Sequence, residues 1–382
     1  MKRPRARDLG INIGRMKSGR YNAITDVAGV RVGHVTLIDG EGKLVPGKGP
    51  IRTGVTAILP HGSDLFLDKV TGAVLRINGF GEVTNAEQIH EMGFIEGPIM
   101  LTNTWNVPRV ADAVIDWYVA RNPAMGVTTW GISPVVAETS DMFLNDIVGR
   151  HVTREQVFRA IDSAKDGAVE EGAVGGGTGM TCYDFKSGIG TASRKLPDKL
   201  GGYTVGILVQ SNFGWRPQLM IDGVPVGREL IDYKPLRRTS DTPPEMKRDI
   251  DSGSIIVVLA TDAPCSTRIL NRLAMRAQNG LARTGSHTGN TSGDFVIAFS
   301  TTRRKKHFND RLTYLFEQVV EEGDLINHLF WSVVEATEEA VLNSLFKSDT
   351  MVGIDDRVAP GLPIEETIAL MKKYGHKQVH LP

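Results

Sequence analysis

The sequence predicts a mixed α/β or layered α+β fold, and three observations carry that prediction. Glycine is abundant, at 42 of 382 residues, and sits at the ends of short apolar runs, as it does where strands meet tight turns. Other segments space their apolar residues by three and four, the period of a helix with one buried face. The two kinds of segment alternate without the regular beat of a doubly wound sheet, which argues against a dinucleotide-binding architecture. No repeat of roughly 20–50 residues is visible, so solenoids and propellers are excluded.

Taken in order, glycine-bounded apolar runs predict strands over Ile24–Val35, Gly54–Leu59, Gly72–Ile77, Pro98–Asn103 and Gly126–Trp130. Further strands are expected over Gly188–Ser193, Tyr203–Ser211, Ser254–Thr261 and Phe295–Thr301. Helical spacing predicts Ala86–Met92, Arg109–Arg121, Thr153–Glu171, Cys265–Ala282 and Asp324–Phe346. Thr153 with Gln156 forms a capping-box pattern at the start of the third. A last helix is expected over Pro363–Tyr374, with the proline near its first turn. Between strands, Asp232–Asp251 is charged, carries Pro235, Pro243 and Pro244 and lacks an apolar period. It predicts an exposed loop. That loop runs through Ser252 and Gly253 into Ser254 and the apolar run Ile255–Ala260.

Composition narrows the function classes. Apolar residues make up 41% and charged residues 23%, as in ordinary globular proteins. Lys+Arg and Asp+Glu both number 44, so there is no electrostatic case for nucleic acid or a membrane surface. Two cysteines, Cys182 and Cys265, are too few for a disulfide framework and lack zinc-ligand spacing. The basic N-terminus has no apolar stretch behind it and does not read as a secretory signal. A reducing, cytoplasmic setting is the expectation, with a periplasmic one as the alternative if the basic segment is the remnant of a leader.

Four places could carry chemistry. A serine freed at the head of a buried strand combines a nucleophilic hydroxyl with an α-amine of pKa about 8, able to accept its proton. Before cleavage the Ser254 hydroxyl could attack the Gly253 carbonyl, and glycine tolerates the backbone that attack requires. By itself Ser-Gly-Ser is more often a plain turn. The run Gly175–Met180 is neither a P-loop nor the dinucleotide fingerprint. Its glycines, Gly177 among them, let the backbone approach a substrate or another backbone closely. Ser292 and Asp294 stand two apart, so on extended backbone a carboxylate could orient a hydroxyl. His287 would permit a Ser-His-Asp set with Ser254 and Asp294, although no Gly-x-Ser-x-Gly elbow exists. His90-Glu91 lacks the second histidine of a zinc helix, and no metal is expected.

Seven segments in register resemble one family. They are Asn22–His34, Arg52–Ala57, Gly97–Thr104, Gly175–Met180, Val209–Gly214, Gly253–Val257 and Ser292–Thr301. The chain resembles the L-aminopeptidase/D-esterase and β-aminopeptidase group of N-terminal-nucleophile hydrolases, over almost its full length. The resemblance implies an αββα sandwich whose precursor cuts itself into residues 1–253 and 254–382, which stay associated. It implies homo-oligomers, often tetramers, no cofactor, and release of N-terminal residues from short peptides, amides or esters.

Carried over by position, Ser254 is the nucleophile, and Ser292 with Asp294 forms a hydroxyl–carboxylate relay. Asn212 resembles an oxyanion-hole donor, and Glu138 the carboxylate that holds the substrate ammonium. Ser140 stands where the best-known member has an aromatic hydroxyl, and some relatives place Glu where Asp294 is. The nearest rival is a self-cleaving acyltransferase resembling ornithine acetyltransferase, whose nucleophile is threonine. A non-catalytic binding protein on the same fold is the other.

Overall fold

Period-two alternation builds two sheets, and the computed structural model describes residues 3–234, 236, 253–309 and 311–381. The chain runs through β1 (Arg31–Asp39), β2 (Ile51–Leu59), β3 (Asp68–Gly79), α1 (Ala86–Met92), β4 (Phe94–Ile95), β5 (Ile99–Asn103), α2 (Val107–Val119), β6 (Val135–Thr139) and α3 (Arg154–Asp162). A small hairpin, β7 (Thr181–Cys182) and β8 (Phe185–Lys186), precedes β9 (Ile189–Lys195), β10 (Thr204–Asn212) and the single turn α4 (Val226–Glu229). Then come β11 (Gly253–Thr261), α5 (Thr267–Arg283), β12 (Ser292–Lys306), α6 (Asp324–Phe346), the ribbon β13 (Met351–Val352) and β14 (Val358–Ala359), and α7 (Ile364–Lys373).

The smaller sheet has the order β1-β2-β5-β6 and the larger β4-β3-β12-β11-β10-β9. Both are mixed: β5–β6 and β11–β12 are parallel, and the other long pairs are antiparallel. Burial sorts the residues of β11 by parity. Ile256, Val258 and Ala260 join Ile58, Leu101 and Val135 in a core between the sheets. Ile255, Val257 and Leu259 join Leu270 and Leu273 of α5 and Val333 and Leu342 of α6. On the far side Val55, Met100 and Val136 pack with Val110 and Val114 of α2 and Val157 of α3. Three cores separate four layers, helix–sheet–sheet–helix, which is the expected αββα sandwich. Because β11 is covered on both faces it reads as an unbroken apolar run.

Several expected elements differ. Ile24–Asp26 is a 3-10 turn, and the first strand starts only at Arg31. The Asp26 carboxylate accepts the backbone N–H groups of Tyr21 and Ala23, which holds a turn there. Gly126–Trp130 is not a strand: the Ala124 carbonyl takes the N–H groups of Val127, Thr128 and Thr129, and Val127 and Trp130 stand exposed. The helix opened by the Thr153–Gln156 capping box stops at Asp162, because Lys165 pairs with Val32 and Gly167 turns to positive φ. Of the loop Asp232–Asp251 and Ser252, residues 235 and 237–252 lie outside the described residues. Among the described residues, no helix is long and apolar enough to cross a membrane.

Candidate active site

Ser254 is the second residue of β11, at the sheet's end, and is 5% exposed. Asn212, the last residue of antiparallel β10, is its register partner and donates Nδ2–H to Ser254 Oγ at 3.3 Å. The Thr181 N–H donates to Asn212 Oδ1 at 3.1 Å, which fixes the carboxamide with its nitrogen toward Ser254. Gly253 is required sterically, since a Cβ there would lie 2.8 Å from Phe213 Cα.

On the other side, parallel β12 sets Ser292 level with Gly253, Gly293 with Ser254 and Asp294 with Ile255. The Ser292 hydroxyl donates to Asp294 Oδ1 at 2.7 Å, and both residues are buried. Burial pushes the Asp294 carboxyl up to about 6, although the Ser292 hydroxyl and the Ile255 N–H favour its charged form. The pair thus flanks the level of Ser254 from the neighbouring strand, with a carboxyl poised to change charge near neutrality.

Glu138 belongs to β6 of the smaller sheet and is buried. Its Oε2 accepts from the Thr104 hydroxyl. A Cβ on Gly81 would come 2.9 Å from Glu138 Oε1 and 3.3 Å from the Cα of Gly293, so that one glycine separates Glu138 from the strand position beside Ser254. Burial raises the Glu138 pKa, the Thr104 hydroxyl and the Glu82 backbone oppose that, and the Glu82 and Asp141 charges add to it. The arrangement places a buried carboxyl group, able to accept from a cation, across the sandwich from a hydroxyl, with an amide donor beside that hydroxyl.

The four candidates Ser254, Asn212, Ser292 and Asp294 therefore lie on three adjacent strands, with Glu138 facing them from the other sheet. Gly177 lies in the buried 3-10 turn Gly175–Gly177. Its N–H donates to the Val174 carbonyl, and a Cβ would meet the Ile189 nitrogen at 2.4 Å. What the run visibly does is let one backbone approach another. Ser140 is half-buried, one residue beyond β6. His287 accepts from Gln218 in an exposed position, and Asn212 is what meets the Ser254 hydroxyl. Sequence reasoning missed Gly81 and Thr181, whose contacts join segments far apart in the chain. Among the described residues, no group of three His, Cys, Asp or Glu could hold a metal ion.

The description of peptidase family S58 matches residues 22–359. The chain belongs to that family. This S58 peptidase is 45% identical to the β-peptidyl aminopeptidase of Sphingosinicella microcystinivorans, over 97% of this chain and 92% of that one. A solved structure from Pyrococcus horikoshii has a TM-score of 0.90 and 47% identity, covering 98% of this chain and 100% of that one. The L-aminopeptidase/D-Ala-esterase/amidase of Ochrobactrum anthropi, described as a prototype serine aminopeptidase with a variant N-terminal-nucleophile-hydrolase fold, has a TM-score of 0.86 and 40% identity. It covers 98% of this chain, which covers 99% of it. The S58 fold assignment thus agrees with the four layers seen here.

Proposed function

We propose that the chain cuts itself between Gly253 and Ser254 and that Ser254 is then the nucleophile of an aminopeptidase and amidase. The observation that carries this reading is the Asn212 amide donating to a buried serine hydroxyl at the head of β11. In self-cleavage the Ser254 Oγ attacks the Gly253 carbonyl carbon, the C–N bond breaks, and an ester links the pieces. Water hydrolyses that ester, leaving a Gly253 carboxylate and a free Ser254 α-amine.

In turnover, Glu138 holds the substrate's ammonium and presents its first carbonyl to Ser254. The Ser254 proton passes to its own amine or to the Ser292–Asp294 pair. Asn212 Nδ2 donates to the oxyanion, the leaving amine takes the proton, and an acyl-enzyme remains for water to cleave. The substrates are short peptides, amides or esters, with β-residues included on the strength of the β-peptidyl relative. The same reading carries a large piece 1–253, a small piece 254–382, tetramers of the processed pair and a cytoplasmic setting. Both cysteines are buried thiols not joined in a disulfide, which suits reducing surroundings.

The test is a denaturing gel of the purified protein with N-terminal sequencing. Two bands are expected, the smaller beginning at Ser254. Ser254→Ala should give one uncut chain without peptidase activity, and Ser254→Cys should keep part of both steps. An active enzyme that is one continuous polypeptide through 253 and 254 would sink the reading.

A further inference from the structure

Lys186 is fully buried, and among the described residues no carboxylate lies within ion-pair distance of it. Its ammonium donates instead to backbone carbonyls: Met180 at 2.9 Å, Ser187, and more loosely Gly177 at 3.5 Å. Burying an ammonium among neutral groups is unfavourable, and here burial drags its pKa down to about 7. A methionine would fill the same space without burying a charge but would take donors away from the Met180 and Ser187 carbonyls, so the ammonium acts through those peptide groups and not by packing alone.

We propose that Lys186 is a positioning residue for Asn212, acting through the Met180–Thr181 peptide group to fix and polarise the carboxamide that faces Ser254. In a trans peptide the C=O and N–H point in opposite directions. The Met180 oxygen accepts from Lys186, while the N–H of that same peptide, on Thr181, donates to Asn212 Oδ1. The other end of the Asn212 amide donates to Ser254 Oγ. Charge, peptide and carboxamide are therefore aligned head to tail, and each hydrogen bond strengthens the next. The hairpin holds this geometry, because Thr181 and Lys186 are register partners in β7 and β8. The Lys186 backbone N–H is itself anchored to the Pro360 carbonyl at 2.7 Å.

The inference rests on the reading of Asn212 as the oxyanion donor, so the experiment is a double-mutant cycle on the self-cleaved protein. It compares wild type, Lys186→Met, Asn212→Ala and the double variant, with kcat taken per mole of chain cut at 253–254. Asn212→Ala is expected to lower kcat about a hundredfold or more. Lys186→Met is expected to lower it roughly tenfold, with KM little changed, and to add almost nothing on the Asn212→Ala background. An unchanged kcat in Lys186→Met, or an equal loss on both backgrounds, would overturn the inference while leaving Asn212 as the donor. Full activity of Asn212→Ala would instead overturn the reading of Asn212, and the inference with it. If Lys186→Met does not fold, the cycle uses Lys186→Gln, which keeps donors and drops the charge. Failure of both to fold assigns Lys186 to stability alone and overturns the inference.

Discussion

Asp294 sits where its charged form is disfavoured, and that has opposite consequences for activity and stability. Burial pushes its carboxyl up to about 6, well above the usual carboxylate range, in spite of donors on Ser292 and Ile255. If the carboxylate is needed as the base, kcat/KM should rise with pH through about 6. The Ser292 hydroxyl favours the charge, so Ser292→Ala should move that limb to higher pH, whatever it does to the maximum. A limb that stays put or moves down would count against the pair acting together. For stability the folded pKa is raised, so the folded state binds more protons between roughly pH 4 and 6. Stability from this group is lost as pH rises through that window. Asp294→Asn should therefore be inactive, with a melting temperature that gains on wild type between pH 4 and pH 7. In the proposed reading Glu138 has the simpler task of holding the substrate's ammonium group. Glu138→Gln loses a charge-assisted bond and should raise KM about a hundredfold, with a smaller change in kcat; steady-state kinetics on a free-amine and an N-acetylated substrate would check this.

Elements set these residues only because neighbouring backbones come unusually close. Gly190 of β9 is packed under α6: a Cβ there would lie 1.9 Å from the Ala340 carbonyl and 2.7 Å from the Ser344 nitrogen. Those atoms belong to a continuous helix and cannot give way singly. Gly190→Ala should cost about 1–3 kcal/mol or more, read from urea unfolding. A variant as stable as wild type would show that α6 can slide. Such contacts also explain what was legible in sequence. The run Ile255–Ala260 announced a buried strand, and the apolar spacing of Asp324–Phe346 marked α6 to its last residue. β6 was not expected, because its five residues end in Glu138-Thr139 and Pro134 obscures its start. Ser254, Asn212, Ser292 and Asp294 were legible because they stand in recognisable segments. Lys186 and Gly81 were not, since each matters through a partner more than five residues away that no local period records.

The whole molecule answers what a cut at 253–254 would do. Both strands contributed by residues 254–382 to the larger sheet, β11 and β12, lie in its middle. They are flanked by β3 and β4 on one side and by β9 and β10 on the other, all from residues before the cut. The N-terminal segment is held from the other direction. Arg7 and Arg194 meet Glu339 of α6 at 2.6 and 2.7 Å, Arg194 also meets Glu335 at 3.0 Å, and Ala6 donates to Asn343. Pulling the pieces apart would strip ladder bonds from both sides of β11–β12 and leave buried charges unpaired. The cleaved protein should therefore elute as one species in native buffer and lose both pieces in a single urea transition, at a midpoint close to that of uncut Ser254→Ala. Pieces that separate without denaturant would mean that the central strands are held far more weakly than their place in the sheet requires.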